Sequence, residues 1–246
     1  MDPINTLLDC LKHQFQIVDL THTLQEGIPC WPTQARFGRT LYESYAWGDV
    51  AVHYRVEMSE HTGTHMDAPL HFVPDGPYHL GIDAVPLTQV VGRAATMNVA
   101  NIEPRGLLDR WCIQAWESEF GPLQSGDILL LHFGWDKWWD TQPRGAGFTR
   151  EWPGLSQDAA AYVVEKGVKL VGCDTMAIDV YGSEDNPAHH TLLGHGVLIV
   201  ENLHNLAVLP PFSIFLALPL PFKDGSGSPV RAIALMPVPP DGLVRS

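Results

Sequence analysis

Residues 60–72 read EHTGTHMDAPLHF, and this stretch restricts the folds open to the chain more than any other. It gathers His61, His65 and His71, three of the chain's 12 histidines, around Asp67. On a helix His61 and His65 would share a face, but Asp67 would point well away from them. Pro69 also disfavours a helix here. On an unbroken strand all four would share a face, yet they would spread over roughly 33 Å at ~3.3 Å per residue. A compact site therefore requires the backbone to turn, and Gly63 supplies that freedom. The pattern predicts a strand that breaks into a tight turn at Thr62–Thr64. Two neutral imidazoles and a carboxylate suit a divalent ion such as zinc, manganese or iron. Three protein ligands from one turn would leave coordination positions for water and substrate, as a catalytic site requires.

A second group lies in NPAHHTLLGHGVLIVENL, residues 186–203, with His189, His190, His195 and Glu201. Glu201 sits near the end of an apolar strand candidate, and buried carboxylates are rare unless paired or metal-bound. The functional reading is that His189 and Glu201 complete the metal site from across a sheet. Around these groups the chain reads as a helix at 3–13, strands at 15–24, 53–61, 91–100 and 126–134, and a helix at 109–120. A third helix at 155–167 runs into a strand at 168–174, and further strands fall at 196–203 and 230–238. The strand at 53–61 would deliver His61. Residues 225–231, GSGSPVR, read as a flexible turn before the last strand rather than a backbone anion site, with Arg231 available to a carboxylate or to a partner subunit. Residues 135–154 form a long connection carrying Trp135, Trp138, Trp139 and Trp152, and loops of this length are often lids or binding loops. No linker or repeat divides the 246 residues, so residues 1–246 read as one α/β domain with a mixed sheet.

The first cluster resembles the signature HxGTHxDxPxH of the cyclase-like amidohydrolase family, which includes bacterial kynurenine formamidases and isatin hydrolases. The sequence has HTGTHMDAPLH at 61–71, and later the pair His189–His190 followed by an apolar strand ending in Glu201. Weaker similarity covers DLTHTL near the start, GCDTMAID at 172–179 and GSGSPVRAIAL at 225–235. The resemblance implies a swivelling β/β/α domain, assembled as a homodimer or homotetramer and using one or two zinc or manganese ions. It assigns His61, His65 and Asp67 to one metal, and Asp67, His189 and Glu201 to a second ion or a looser half of the site. It gives His71 the part of general acid/base. The long Trp-rich connection is similar to that of the isatin-hydrolase branch.

The expected activity is metal-dependent cleavage of the amide C–N bond in a small aromatic substrate, either a cyclic amide such as isatin or an aryl formamide such as N-formylkynurenine. Trp31, following Pro29 in an early loop, is the expected aromatic contact for substrate. Lactone hydrolysis at the same site, or metal binding without catalysis, are the alternatives. A structural zinc would normally be closed by four ligands, often cysteines, and none of the four cysteines lies near the histidine motif. Nucleophilic serine chemistry lacks a G-x-S-x-G elbow, and no Walker A or dinucleotide fingerprint occurs. A net charge of −13 without a Lys/Arg cluster disfavours nucleic acid. The most apolar segment, 207–222, is too short and too rich in proline to span a bilayer. Irregularly spaced cysteines and the lack of a basic-then-apolar N-terminal run fit a reduced, cytoplasmic protein.

Overall fold

The computed structural model describes residues 2–238. Helix α1 (Pro3–Gln14) starts from Asp2, whose carboxylate accepts the Ile4 N–H, which satisfies one of the donors a helix start leaves free. Strands β1 (Phe15–Asp19), β2 (Gly38–Glu43), β3 (His53–Glu57), β4 (His65–Asp67), β5 (Val91–Asn98) and β6 (Leu107–Leu108) follow. Next come α2 (Arg110–Phe120), β7 (Ile128–His132), β8 (Gly154–Leu155), α3 (Gln157–Glu165) and β9 (Leu170–Cys173). The described chain ends with α4 (Pro187–Leu193), β10 (Leu198–Glu201), β11 (Phe212–Pro219) and β12 (Gly227–Pro237). Asp109 and Ser156 cap α2 and α3 with side-chain oxygens, and Gly167 at φ +70° stops α3 where the sequence places its end.

Eight strands form one mixed sheet in the order β1-β12-β11-β5-β7-β9-β10-β4. The steps β5–β7, β7–β9 and β9–β10 are parallel; the others are antiparallel. The sheet closes on itself, because the start of β12 also pairs with β4: Gly227 faces Asp67 and Pro229 faces His65. Strands β7, β9 and β10 are buried along both faces, which explains their unbroken apolar runs. Ile128, Leu130, Leu198 and Val200 point into one core with Met66 and Phe215. Leu129, Leu131, Val171 and Ile199 point into the other, beneath α2, α3 and α4. This alternation is the period-two geometry of a strand. None of the helices among the described residues is long and apolar enough to cross a membrane.

Two local expectations are corrected, and two elements are new. The strand expected at 53–61 stops at Glu57, and His61 lies in the turn beyond it. Strand β3 pairs only with β2, in an exposed ribbon outside the main sheet. Residues 227–231 belong to β12 and are not a turn, because their edge is taken up by β4. Strand β11 lies inside the proline-rich segment 207–222, where only Pro219 enters the strand, at its last position. Helix α4, seven residues long, was hidden among its histidines.

Candidate metal centre

The turn comes first. Gly63 sits at φ +65°, a conformation open mainly to glycine. Its carbonyl accepts the Asn202 carboxamide at 2.8 Å and the His65 Nδ1–H at 2.9 Å. Thr64 Oγ1 donates to the Asn202 carbonyl at 2.6 Å and accepts the His22 N–H at 3.0 Å. The chain then straightens into β4. His65 and Asp67, two residues apart, face the same way. Strand β10 lies antiparallel alongside, with Glu201 directly opposite His65 and Ile199 opposite Asp67. Glu201 Oε1 is fixed by the Ile178 N–H at 2.8 Å.

His189 arrives from the first turn of α4. One carboxylate organises it: Asp179 accepts the Ala188 and His189 backbone N–H groups at 2.8 and 3.1 Å and the His189 Nδ1–H at 2.6 Å. Asp179 therefore caps the helix start and aims the ring. With the Nδ1 atoms of His65 and His189 occupied in this way, both Nε2 atoms face the carboxylates of Asp67 and Glu201. His65 Nε2 stands 3.4 Å from Asp67 Oδ1 and 3.5 Å from Glu201 Oε2. His189 Nε2 stands 3.5 Å from Asp67 Oδ2 and 3.2 Å from Glu201 Oε1. Each carboxylate thus offers one oxygen to each imidazole, a donor set that would suit a divalent ion.

These spacings fit a metal. Two ligand atoms bound tetrahedrally at ~2.1 Å stand ~3.4 Å apart, and three of the four separations lie within a tenth of an ångström of that value. Buried Asp67 Oδ2 has no hydrogen-bond partner, a costly condition that coordination would relieve. Burial opposes ionisation of Asp67, but the neighbouring imidazoles of His189 and His61 overcome it and hold the carboxyl well below the usual range. Burial likewise works against charge on His189, yet Asp179, Asp67 and Glu201 push its pKa well above normal. His65 is raised in the same manner, against burial, by Asp67 and Glu201.

The six residues expected as metal ligands or acid/base lie together. His65 shares its space with Asp67 and Glu201. His61 instead bonds Asp67 Oδ1 at 2.7 Å through Nδ1 and Ser226 Oγ at 2.9 Å through Nε2. It also stacks on His71, with ring centroids 4.1 Å apart. His61, Asp67 and His71 form a second group with ligand-type atoms in reach of one ion. Burial lowers the His71 pKa to about 4, against the opposing charge of Asp67, so the ring is neutral at pH 7.

A cavity of about 330 Å³ opens beside these groups. Trp31 and Phe72 supply aromatic walls, with Pro29, Met176 and Ala177, while Thr33, Gln34 and Asn186 supply uncharged polar groups. Trp31 leans edge-on against Trp152 at 6.1 Å, and Phe72 stacks on His189 at 4.5 Å. The connection 135–154 is anchored rather than loose: Trp135, Phe148 and Trp152 are buried in the outer core, while Trp138 is exposed. Sequence reasoning assigned no part to Asp179, Phe72, Asn202 or Ser226. Phe72 stood inside the quoted motif and Asp179 inside GCDTMAID; neither is a recognisable partner until the backbone brings it to an imidazole.

The Cyclase family model matches residues 18–180. Kynurenine formamidase from Bacillus mycoides (strain KBAB4) is 34% identical over 219 residues, which cover 89% of this chain and 96% of that protein. Isatin hydrolase A from Labrenzia aggregata, solved with benzyl benzoate, superposes with a TM-score of 0.86 at 30% identity, covering 95% of this chain and 98% of that one. A structure described as a potential metal-dependent hydrolase with cyclase activity has a TM-score of 0.71 at 25% identity, covering 90% and 98%. The HTGTHMDAPLH cluster, the closed mixed sheet that folds it together and these matches across most of the chain agree: it belongs to the Cyclase family.

Proposed function

We propose that the chain is a metal-dependent amidohydrolase that cleaves the C–N bond of a small, uncharged aromatic amide such as isatin. The observation that carries this reading is the pair of imidazole Nε2 atoms held 3.2–3.5 Å from the oxygens of Asp67 and Glu201. His65, Asp67, His189 and Glu201 would hold a zinc or manganese ion, and His61, Asp67 and His71 could hold a second. When bound, such an ion polarises a carbonyl and lowers the pKa of water towards neutrality. The protein's own groups do the rest. His71, neutral and beside the ligands, takes a proton from water and returns it to the leaving nitrogen. Trp31 and Phe72 flank a flat ring, and Trp152 stiffens Trp31 from behind. Thr33, Gln34 and Asn186 offer hydrogen bonds to a substrate's second polar group. The connection 135–154 forms a fixed wall more than a swinging lid.

The cavity lining also ranks the candidate substrates. No lysine or arginine lines it among the described residues, so the charged α-amino acid end of N-formylkynurenine would give up water with no basic side chain to hold its carboxylate, at a desolvation cost. Isatin carries no such charge. Exposed Tyr42, Tyr45, Trp47 and Val50 around the β2–β3 ribbon, with Ile4, Leu7 and Leu8 on α1, support a homodimer or homotetramer. Four cysteines free of disulfides fit the cytoplasm. The test is direct: protein loaded with zinc or manganese is given isatin and N-formylkynurenine, with and without chelator. Ring opening of isatin that the chelator abolishes, with slower turnover of the formamide, is the expected result. Turnover that survives complete metal removal refutes the proposal.

A further inference from the structure

Strand β7 ends at His132, three residues before the aromatic connection begins at Trp135. His132 is 7% exposed. Its Nδ1 lies 3.2 Å from Asn98 Oδ1, which also accepts the Ala100 N–H at 3.2 Å. That second bond fixes the amide oxygen as an acceptor, so His132 Nδ1 must carry the hydrogen. Nε2 of the neutral ring is then a bare lone pair. It has no hydrogen-bond partner and lies 4.0 Å from Asp174 Oδ2, too far for a hydrogen bond. A carboxylate oxygen of Asp136 completes the group, with all three atoms within 4.8 Å of one another.

The two carboxylates are held in place by other bonds. Asp174, with no exposed surface, accepts the Phe133 and Trp135 N–H groups at 2.8 and 2.9 Å. Asp136 Oδ2 accepts His204 Nδ1–H at 3.0 Å and Asn205 N–H at 3.1 Å. Among the described residues neither carboxylate pairs with lysine or arginine; nearby Lys137 has its Nζ over the Trp138 ring. Three electron-rich atoms thus converge, two of them on carboxylates, with no positive group between them. Lone-pair atoms held face to face in low dielectric repel, and buried carboxyl groups are ordinarily paired or metal-bound.

We infer that His132, Asp136 and Asp174 form a further divalent-cation site, sharing no residue with the Asp67 cluster, that accepts a first-row ion such as Mn²⁺ or Zn²⁺. One imidazole and two carboxylates are a ligand set for such ions, and three protein ligands leave room for water. Entry is from the side of Asp136 and His204, whose side chains are 15% and 38% exposed. The ion ties the end of β7 to the segment after β9 and to the first residues of the aromatic connection. Its work is to fix the wall that carries Trp152, not to touch substrate.

The experiment is a titration of metal-stripped protein with Mn²⁺, followed by calorimetry and by the electron paramagnetic resonance signal of the free ion. Wild type takes up one more ion per chain than either Asp136→Asn or His132→Gln. Conversely, a His65→Gln/Glu201→Gln variant, crippled in the Asp67 cluster, still binds one Mn²⁺, and adding Asp136→Asn removes it. Circular dichroism of the stripped variants confirms that each is folded, and the two single variants serve as independent replicates should one unfold. Equal Mn²⁺ uptake by wild type, Asp136→Asn and His132→Gln overturns the inference, as does no uptake by folded His65→Gln/Glu201→Gln. Repeating the titration with Zn²⁺ decides between the two ions.

Discussion

His71 is the residue whose part the geometry most sharpens. The ring is buried, neutral at pH 7 and stacked on His61, yet it also lies within ligand reach of His61 and Asp67. The two roles separate cleanly on substitution. As general acid/base, His71→Ala lowers turnover by ~10²–10⁴-fold and leaves metal content unchanged by elemental analysis. Loss of an equivalent of metal in that variant would make His71 a ligand instead. Its neighbours were unevenly visible from the sequence. His61, His65, Asp67, His71, His189 and Glu201 announce themselves by type and spacing. Asp179 does not, since its importance lies in three hydrogen bonds made only once α4 has formed.

At the scale of elements, the turn at 62–64 sets the site by forcing a direction change on a chain about to enter a sheet. An added Cβ at Gly63 would lie in the left-handed region and 2.5 Å from Leu24 Cδ2. Gly63→Ala is therefore expected to lose ~1–2 kcal/mol of stability from backbone strain alone, and to weaken metal binding, because the Gly63 carbonyl orients His65. Denaturant unfolding and metal content of the variant check both effects; wild-type values for each would show that the turn tolerates a side chain. The turn, the capped helices α2 and α3, and the buried parallel strands were all legible in composition and period. The rest was lost for physical reasons. Strand β4 has three residues, fewer than any periodicity can reveal. Strand β11 lies in a segment that carries four prolines, and β2 lies on an exposed, isolated ribbon, where burial imposes little pattern. The grouping of His65 with Glu201 depends on strand register, which no local motif encodes.

At the scale of the molecule, stability and pH meet at His22. It is buried against Trp139, ring to ring at 4.0 Å, and its Nε2 has no hydrogen-bond partner. Burial, helped by the His204 charge, lowers its pKa to about 3, whereas the unfolded chain takes a proton near pH 6.5. Between those values the unfolded state binds more protons, so stability rises with pH. This contribution is complete above pH 6.5 and declines as pH falls towards 3, by about 1.4 kcal/mol for each unit within the window. His22→Phe, which keeps the stack on Trp139, should flatten the acid limb of unfolding free energy by about one proton; an unchanged slope would assign acid sensitivity elsewhere. The joining of β4 to both β10 and β12 carries a wider meaning. Two of the three residues that close the hoop, His65 and Asp67, also bear ligand atoms, so the reactive centre is stitched into the seam of the barrel. Evolution can retailor the rim around Trp31 and the tryptophan-bearing wall for new substrates, but it cannot unpick that seam without undoing both the fold and its chemistry.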